Sequence, residues 1–178
     1  MRVYVYLLAA CATAAMSVGC ASNAGSKPTM SPGNVEDTKE CVIRSGGKDV
    51  LKLRVPVDTA SNPADGCVYL ESNRRHVEFW LVPGATSVNQ AVPRVGEQIK
   101  NEFNDFKANT TMDLTVGGSP AKRLVGSGTE ADDGDPGKAD VIVFKAGGHI
   151  FVACAHGEVL SPEAQAWMLR LVQLARVP

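Results

Sequence analysis

Residues 113–158 read DLTVGGSPAKRLVGSGTEADDGDPGKADVIVFKAGGHIFVACAHGE. Four largely apolar runs lie in this stretch, at 113–116, 121–126, 139–145 and 149–155. Turn-forming residues separate them: Gly117-Gly118-Ser119-Pro120, then the acidic run 131–137, then Ala146-Gly147-Gly148. Short glycine-rich connections leave no room for a crossover, so consecutive strands must pair antiparallel. The stretch therefore predicts a four-stranded meander. Residues 141–144 and 150–154 are apolar on both faces, which predicts central strands covered on both sides.

Working outward, Ser161-Pro162-Glu163 carries the signals of a helix start: a capping hydroxyl, a proline whose missing N–H does no harm, and an acid near the positive dipole end. Ala164, Trp167, Met168, Leu171, Leu174 and Ala175 then line one face. Upstream, Ser87 is a second candidate cap. Val88, Val92, Val95, Ile99, Phe103 and Phe106 follow at helical spacing. Pro93 and Gly96 interrupt them, which predicts a kink or short turn before a main helix over 94–107. Further upstream, 67–71 and 76–82 predict one hairpin, 41–44 and 50–55 another, and 56–65 a loop. The expected fold class is α+β, a mostly antiparallel sheet covered by two amphipathic helices.

The order of these segments carries a resemblance. Glu102-Phe103-Asn104-Asp105-Phe106 ends a helix, Thr115-Val116-Gly117-Gly118-Ser119-Pro120-Ala121-Lys122-Arg123-Leu124 spans a turn, and Val141-Ile142-Val143-Phe144 and Gly147-Gly148-His149-Ile150-Phe151-Val152 precede a final helix. This resembles the PsbP-like fold, an α/β/α sandwich found in photosystem extrinsic subunits, a nuclear-import factor and many bacterial lipoproteins. The likeness covers about 77–175; the amino-terminal strands with their two cysteines depart from it. It implies a binding or assembly protein, although fold alone does not fix function.

The amino terminus bears on location. Arg2 precedes an apolar run over 3–16, and Ser17-Val18-Gly19-Cys20 follows. Residues 1–19 have the form of a secretory signal peptide. The last four residues resemble the lipobox of bacterial lipoproteins, which implies that Cys20 becomes an acylated first residue. Ser17 departs from the aliphatic residue preferred there. The competing readings are an ordinary leader cleaved near 21–24, or a retained anchor, for which the run is short. Leu8-Ala9-Ala10-Cys11 also fits the letter pattern but leaves too short an apolar region. Two or more acyl chains hold a protein stably on a membrane. Ala21, rather than Asp, after the cysteine implies an outer-membrane destination where the cell has one. Residues 20–36 are polar and rich in Ser, Gly and Pro, a flexible tether. Residues 37–178 remain as a single α+β domain.

Composition excludes one partner class. The chain has 18 basic and 19 acidic residues. Losing the leader removes Arg2 and leaves 17 basic residues. No basic face for nucleic acid is expected. Export permits disulfides, and Cys41 and Cys67, each opening a predicted strand, form the candidate pair. Cys154 shares a strand face with Ile150 and Val152 and reads as a buried thiol.

Sites of chemistry are sparse. Asp132, Asp133, Asp135 and Asp140 are weak candidates for Ca²⁺, because carboxylates bunched on a glycine-rich loop can supply oxygen ligands. Their spacing does not match an EF-hand and no terminal bidentate Glu follows, so a solvated hairpin turn is the preferred reading. His156 and Cys154 lie two apart on one strand face and would seed a zinc or Cys–His site, but the third ligand that zinc requires is not visible. His149 faces the other side. Neither Gly-Gly pair precedes a helix as a phosphate loop does, and no nucleophile elbow surrounds Ser119 or Ser127. Arg74-Arg75-His76 near Trp80 is the one basic–aromatic cluster. The chain is thus expected to be a cell-envelope lipoprotein with a non-enzymatic binding or assembly domain and no cofactor. Its partners are the membrane, through the lipid, and an unidentified protein or small ligand. The alternative is an envelope enzyme or metal-binding protein using Cys154 and His156 or the acidic loop 130–140.

Overall fold

Gly147 and Gly148 have φ values of 56° and 83°. Two successive positive φ values make a turn whose twist matches that of the strands it joins, and glycine adopts them without strain. The same pairing recurs at Gly46-Gly47 and Gly117-Gly118, so three hairpins close on one turn geometry. They join β1 (Thr38–Ser45) to β2 (Lys48–Pro56), β6 (Lys107–Val116) to β7 (Ser119–Thr129), and β8 (Pro136–Ala146) to β9 (His149–Gly157). β3 (Ala60–Ala64), β4 (Cys67–Ser72) and β5 (Arg75–Leu81) complete the strands. The computed structural model describes residues 37–73 and 75–178, within the unit Val35–Pro178. The expected leader, Cys20 and the expected tether lie outside the described residues, as does Arg74.

Every strand pairing is antiparallel. One sheet has the order β3-β4-β5-β9-β8-β7-β6, and β1-β2 forms a separate pair. The meander is therefore present as expected, and the class is α+β. β9 and β8 occupy the middle of the large sheet, where their two-sided apolar sequence belongs.

Two buried clusters flank the sheet. Phe79, Ile142, Phe144, Phe151 and Ala153 pack with Ile43, Leu51, Leu53 and Val55 of the β1–β2 hairpin and with α3 (Pro162–Leu174). α3 contributes Ala164, Trp167, Met168, Leu171 and Val172. Val172 completes this face where the sequence pointed to Leu174, which is exposed. On the other side Leu124, Val141, Val143, Ile150, Val152 and Cys154 pack with Val88, Ala91, Val95, Ile99 and Phe103. Each fully buried large side chain stabilises the fold by about 1.5–3 kcal/mol relative to exposure.

Three expectations are corrected. The loop over 56–65 contains β3, whose sequence ASNPA is exposed throughout and carries Pro63. An edge strand needs neither an apolar face nor every N–H, so its residues gave no periodic signal. β6 begins at Lys107, well before residue 113, because its first half is polar and exposed, again at an edge. The main helix over 94–107 does not form. The chain makes α1 (Val88–Ala91), a 3-10 turn at Val92–Arg94 and α2 (Val95–Gln98), and then leaves helical geometry. Val95, Ile99 and Phe103 are nonetheless buried as their spacing predicted.

The reason lies across the interface. A β-carbon on Gly126 would collide with the Lys107 carbonyl and the Phe106 ring. One on Gly128 would lie 2.9 Å from Phe103, and one on Gly137 2.8 Å from the same ring. These three glycines let the aromatic segment after α2 lie against the backbone of β7 and β8. A continuous helix would have held Phe103 and Phe106 a helix radius away.

Candidate functional site

The α1–α2 side of the sheet is apolar along most of its length and turns polar at one end. On β9 the alternation that buries Ile150, Val152 and Cys154 carries on to His156. β5 lies antiparallel beside β9 with Glu78 opposite Cys154, so Glu78 faces the same side. Above them, the turn after α2 supplies Glu102. It is fixed by N–H bonds from Glu102 and Phe103 to the Ile99 carbonyl, both 2.9 Å. The Ala131 N–H donates to the Glu102 carbonyl at 2.9 Å, tying this turn to the acidic loop.

The result is a recess in which His156 Nε2 lies 3.4 Å from Glu102 Oε2 and 3.7 Å from Glu78 Oε1. The three ligand-type atoms lie within 4.8 Å of one another. The Phe103 ring stands edge-on to the imidazole, centroids 5.9 Å apart. Nε2 is buried and makes no hydrogen bond. Burial opposes a charge on His156, but the carboxylates of Glu78, Glu102 and Glu130 outweigh it and hold the imidazole above its ordinary range. Burial, and then the neighbouring Glu78, push the Glu102 carboxyl up. Burial, and then Asp133, do the same to Glu130. Each shift expresses the same condition, several acids gathered where water is scarce.

A second polar pair borders the recess. Tyr69 on β4 is opposite Glu78, and its hydroxyl hydrogen-bonds His76 Nδ1. Burial, and then the charges of Glu71, Glu78 and Glu102, push the phenol up to about 12. Of the acidic loop, Glu130, Asp132 and Asp133 have carboxylate oxygens within 4.8 Å of one another. Asp133 and Asp135 also serve the turn: Asp133 Oδ1 accepts from the Asp135 N–H at 2.9 Å, and the Asp135 carbonyl from the Glu130 N–H at 2.8 Å.

Several sequence candidates stand elsewhere. Asp140 is not part of the loop cluster. It sits in β8, fully buried on the α3 side, where its oxygens accept from Arg123 Nε at 2.9 and 3.1 Å, Arg123 Nη2 at 2.5 Å and Gln165 Nε2 at 2.9 Å. Its lone pairs are engaged by protein donors, so the four-aspartate Ca²⁺ candidate is dismantled. Cys41 and Cys67 are free thiols. Cys41 packs in the α3-side cluster with Val68 and Leu70 of β4, whereas Cys67 alternates to the opposite face of that strand, so the expected bridge is not formed. Cys154 is fully buried, and burial holds its thiol well above 9. His156 is thus drawn into a site with Glu78 and Glu102, and Cys154 is not. The basic–aromatic cluster also separates: Arg75 lies over Trp167, 5.1 Å from the ring centroid, while Trp80 packs with the other cluster.

In the sequence Glu102 reads only as part of a segment that ends a helix, and Glu78 only as part of the predicted strand over 76–82. Glu78 did carry a signal, a carboxylate inside a strand that alternates with apolar residues. Glu102 carried none, because its approach to His156 depends on the irregular turn.

No protein-family model matches the chain, and no curated protein matches it. Among solved structures, LpqN, involved in cell envelope biogenesis of Mycobacterium tuberculosis, is similar at 16% identity and TM-score 0.43, over 79% of this chain and 92% of that one. A Pseudomonas aeruginosa protein of unknown function gives 16% identity and TM-score 0.42, over 78% of this chain and 98% of that one. The cyanobacterial PsbP (CyanoP) of Synechocystis gives 12% identity and TM-score 0.53, over 85% of this chain and all of that one. The fold of the chain is PsbP-like.

Proposed function

We propose that the protein is an exported, lipid-anchored domain that works at the cell envelope by binding, without turnover. The observation that carries this is the apolar run over 3–16 ending in Ser17-Val18-Gly19-Cys20, followed by a polar tether that leads into the folded unit. The fold is compatible with that role. Buried clusters on both sides of one sheet support the sandwich arrangement, with α3 and the β1–β2 hairpin on one face and the α1–α2 segment on the other. The Cys–His enzyme alternative is disfavoured by Cys154. A nucleophilic cysteine needs an accessible thiolate, and this thiol is sealed in the core and held protonated.

Cell fractionation and intact mass of the membrane-fraction protein test the proposal. The expected species begins at Cys20 and carries fatty-acyl mass, and Cys20→Ala moves the protein out of the membrane fraction. A wild-type protein that begins at another residue with an unmodified amine, and stays soluble, overturns it.

A further inference from the structure

The geometry points to a divalent transition-ion site, with Zn²⁺ as the type, formed by His156 Nε2 and the carboxylates of Glu78 and Glu102. This goes beyond the tethered-domain proposal and does not depend on the lipid anchor.

Three observations converge on a cation. First, Zn–N and Zn–O bonds of about 2.0–2.2 Å in a tetrahedron set ligand atoms about 3.3–3.6 Å apart. The two His156-to-carboxylate separations are 3.4 and 3.7 Å. Second, His156 Nε2 is buried without a hydrogen bond even though two carboxylate oxygens face it. Buried polar nitrogens are normally satisfied. The nitrogen and the two oxygens lie close enough together to serve one ion as common ligands. Third, Glu78 is nine-tenths buried and shares the recess with Glu102. Two carboxylates and one imidazole therefore meet in one recess, their ligand atoms within 4.8 Å of one another. Desolvated charge of this kind calls for a counter-ion.

The donor set selects the ion class. Ca²⁺ takes six to eight oxygens, and Mg²⁺ prefers oxygen and water. One imidazole with two carboxylates suits Zn²⁺ and its first-row neighbours. Three protein donors leave a position open to water or to a ligand atom, as in zinc sites that bind a further group. Ligation through Nε2 requires the ring proton on Nδ1. Glu130, whose Oε1 is also buried without a partner, flanks the three as an outer carboxylate. The strands and the Ile99-anchored turn hold the donors on rigid backbone.

The test is calorimetric titration of the untagged, EDTA-stripped full chain with Zn²⁺ and, separately, with Ca²⁺, alongside Glu102→Gln and His156→Asn. Glu102 is on a partly exposed turn, so Glu102→Gln keeps the test valid even where His156→Asn impairs folding; circular dichroism checks both. The expected result is one equivalent of Zn²⁺ bound in preference to Ca²⁺. Affinity should fall by more than about tenfold in each folded variant. Saturating Zn²⁺ should raise the wild-type Tm by roughly 10 °C, an effect absent in the variants. Failure of the wild type to bind Zn²⁺, or binding that Glu102→Gln leaves unchanged, overturns the site. Neither outcome alters the mass at Cys20, so the anchor stands or falls separately.

Discussion

The charged residues with the clearest energetic role are those withdrawn from water. Asp140 is fully buried, and Arg123 and Gln165 satisfy it from β7 and α3. Removing one member of such a pair leaves the other desolvated and uncompensated. Asp140→Asn should therefore cost about 3 kcal/mol in urea unfolding, since the Arg123 side chain is 25% exposed and recovers some hydration. The Asp113–Lys122 pair joins β6 to β7 with Asp113 largely exposed. Asp113→Asn should change stability by less than about 1 kcal/mol in the same assay. Tyr69 offers a spectroscopic reading of the recess. Tyr4 and Tyr6 lie within residues 1–19, the proposed leader, so a chain that begins at Cys20 has Tyr69 alone. Its phenolate should appear with a midpoint near 12, where an ordinary tyrosine gives 10. The folded state favours the protonated phenol. Stability from this group is thus complete below pH 10 and is lost as pH rises from 10 through 12. A midpoint near 10 in the folded protein would show Tyr69 to be free of the recess carboxylates.

At the scale of elements, the departure from helix after Gln98 shapes the candidate site. Phe103 is buried against the glycines of β7 and β8, and Glu102 follows its neighbour into place. Gly126→Ala would drive a methyl group into the Lys107 carbonyl at the start of β6, where backbone has to give. We expect a loss of about 1–3 kcal/mol and faster hydrogen exchange confined first to β6 and the turn before it. An unchanged exchange pattern would mean that β6 is held by something other than this close approach. Gly46, by contrast, has open space around its missing side chain, and its role is the turn itself.

At the largest scale, the described unit is closed by its last residues. After α3 the chain returns to the β1–β2 hairpin, where the Lys52 N–H donates to the Arg176 carbonyl at 2.8 Å and the Arg176 N–H to the Lys52 carbonyl at 2.9 Å. Val177 lies over Gly147 at the β8–β9 turn, the end of β9 away from His156. Truncation after Leu174 should lower stability by roughly 2 kcal/mol in urea unfolding while leaving Zn²⁺ affinity unchanged, because the clasp and the recess share no residues. A parallel loss of both would indicate that the sheet transmits strain along its length.

Read alone, the sequence determined the meander, its two Gly-Gly turns, the capped last helix and most of the buried residues. These depend on neighbours along the chain, on period two or 3.6 and on the φ demands of tight turns. The edge strand β3 and the first half of β6 escaped it, because they show water on both faces and have no period to read. Only the tertiary structure decided where the helix after Ser87 would stop, since that rests on glycines some thirty residues downstream that admit Phe103 to the sheet. It alone brought Glu78, Glu102 and His156 together, from a strand, a turn and another strand. No spacing along the chain encodes that meeting, because the register of β5 on β9 and the landing of one aromatic ring set it in space.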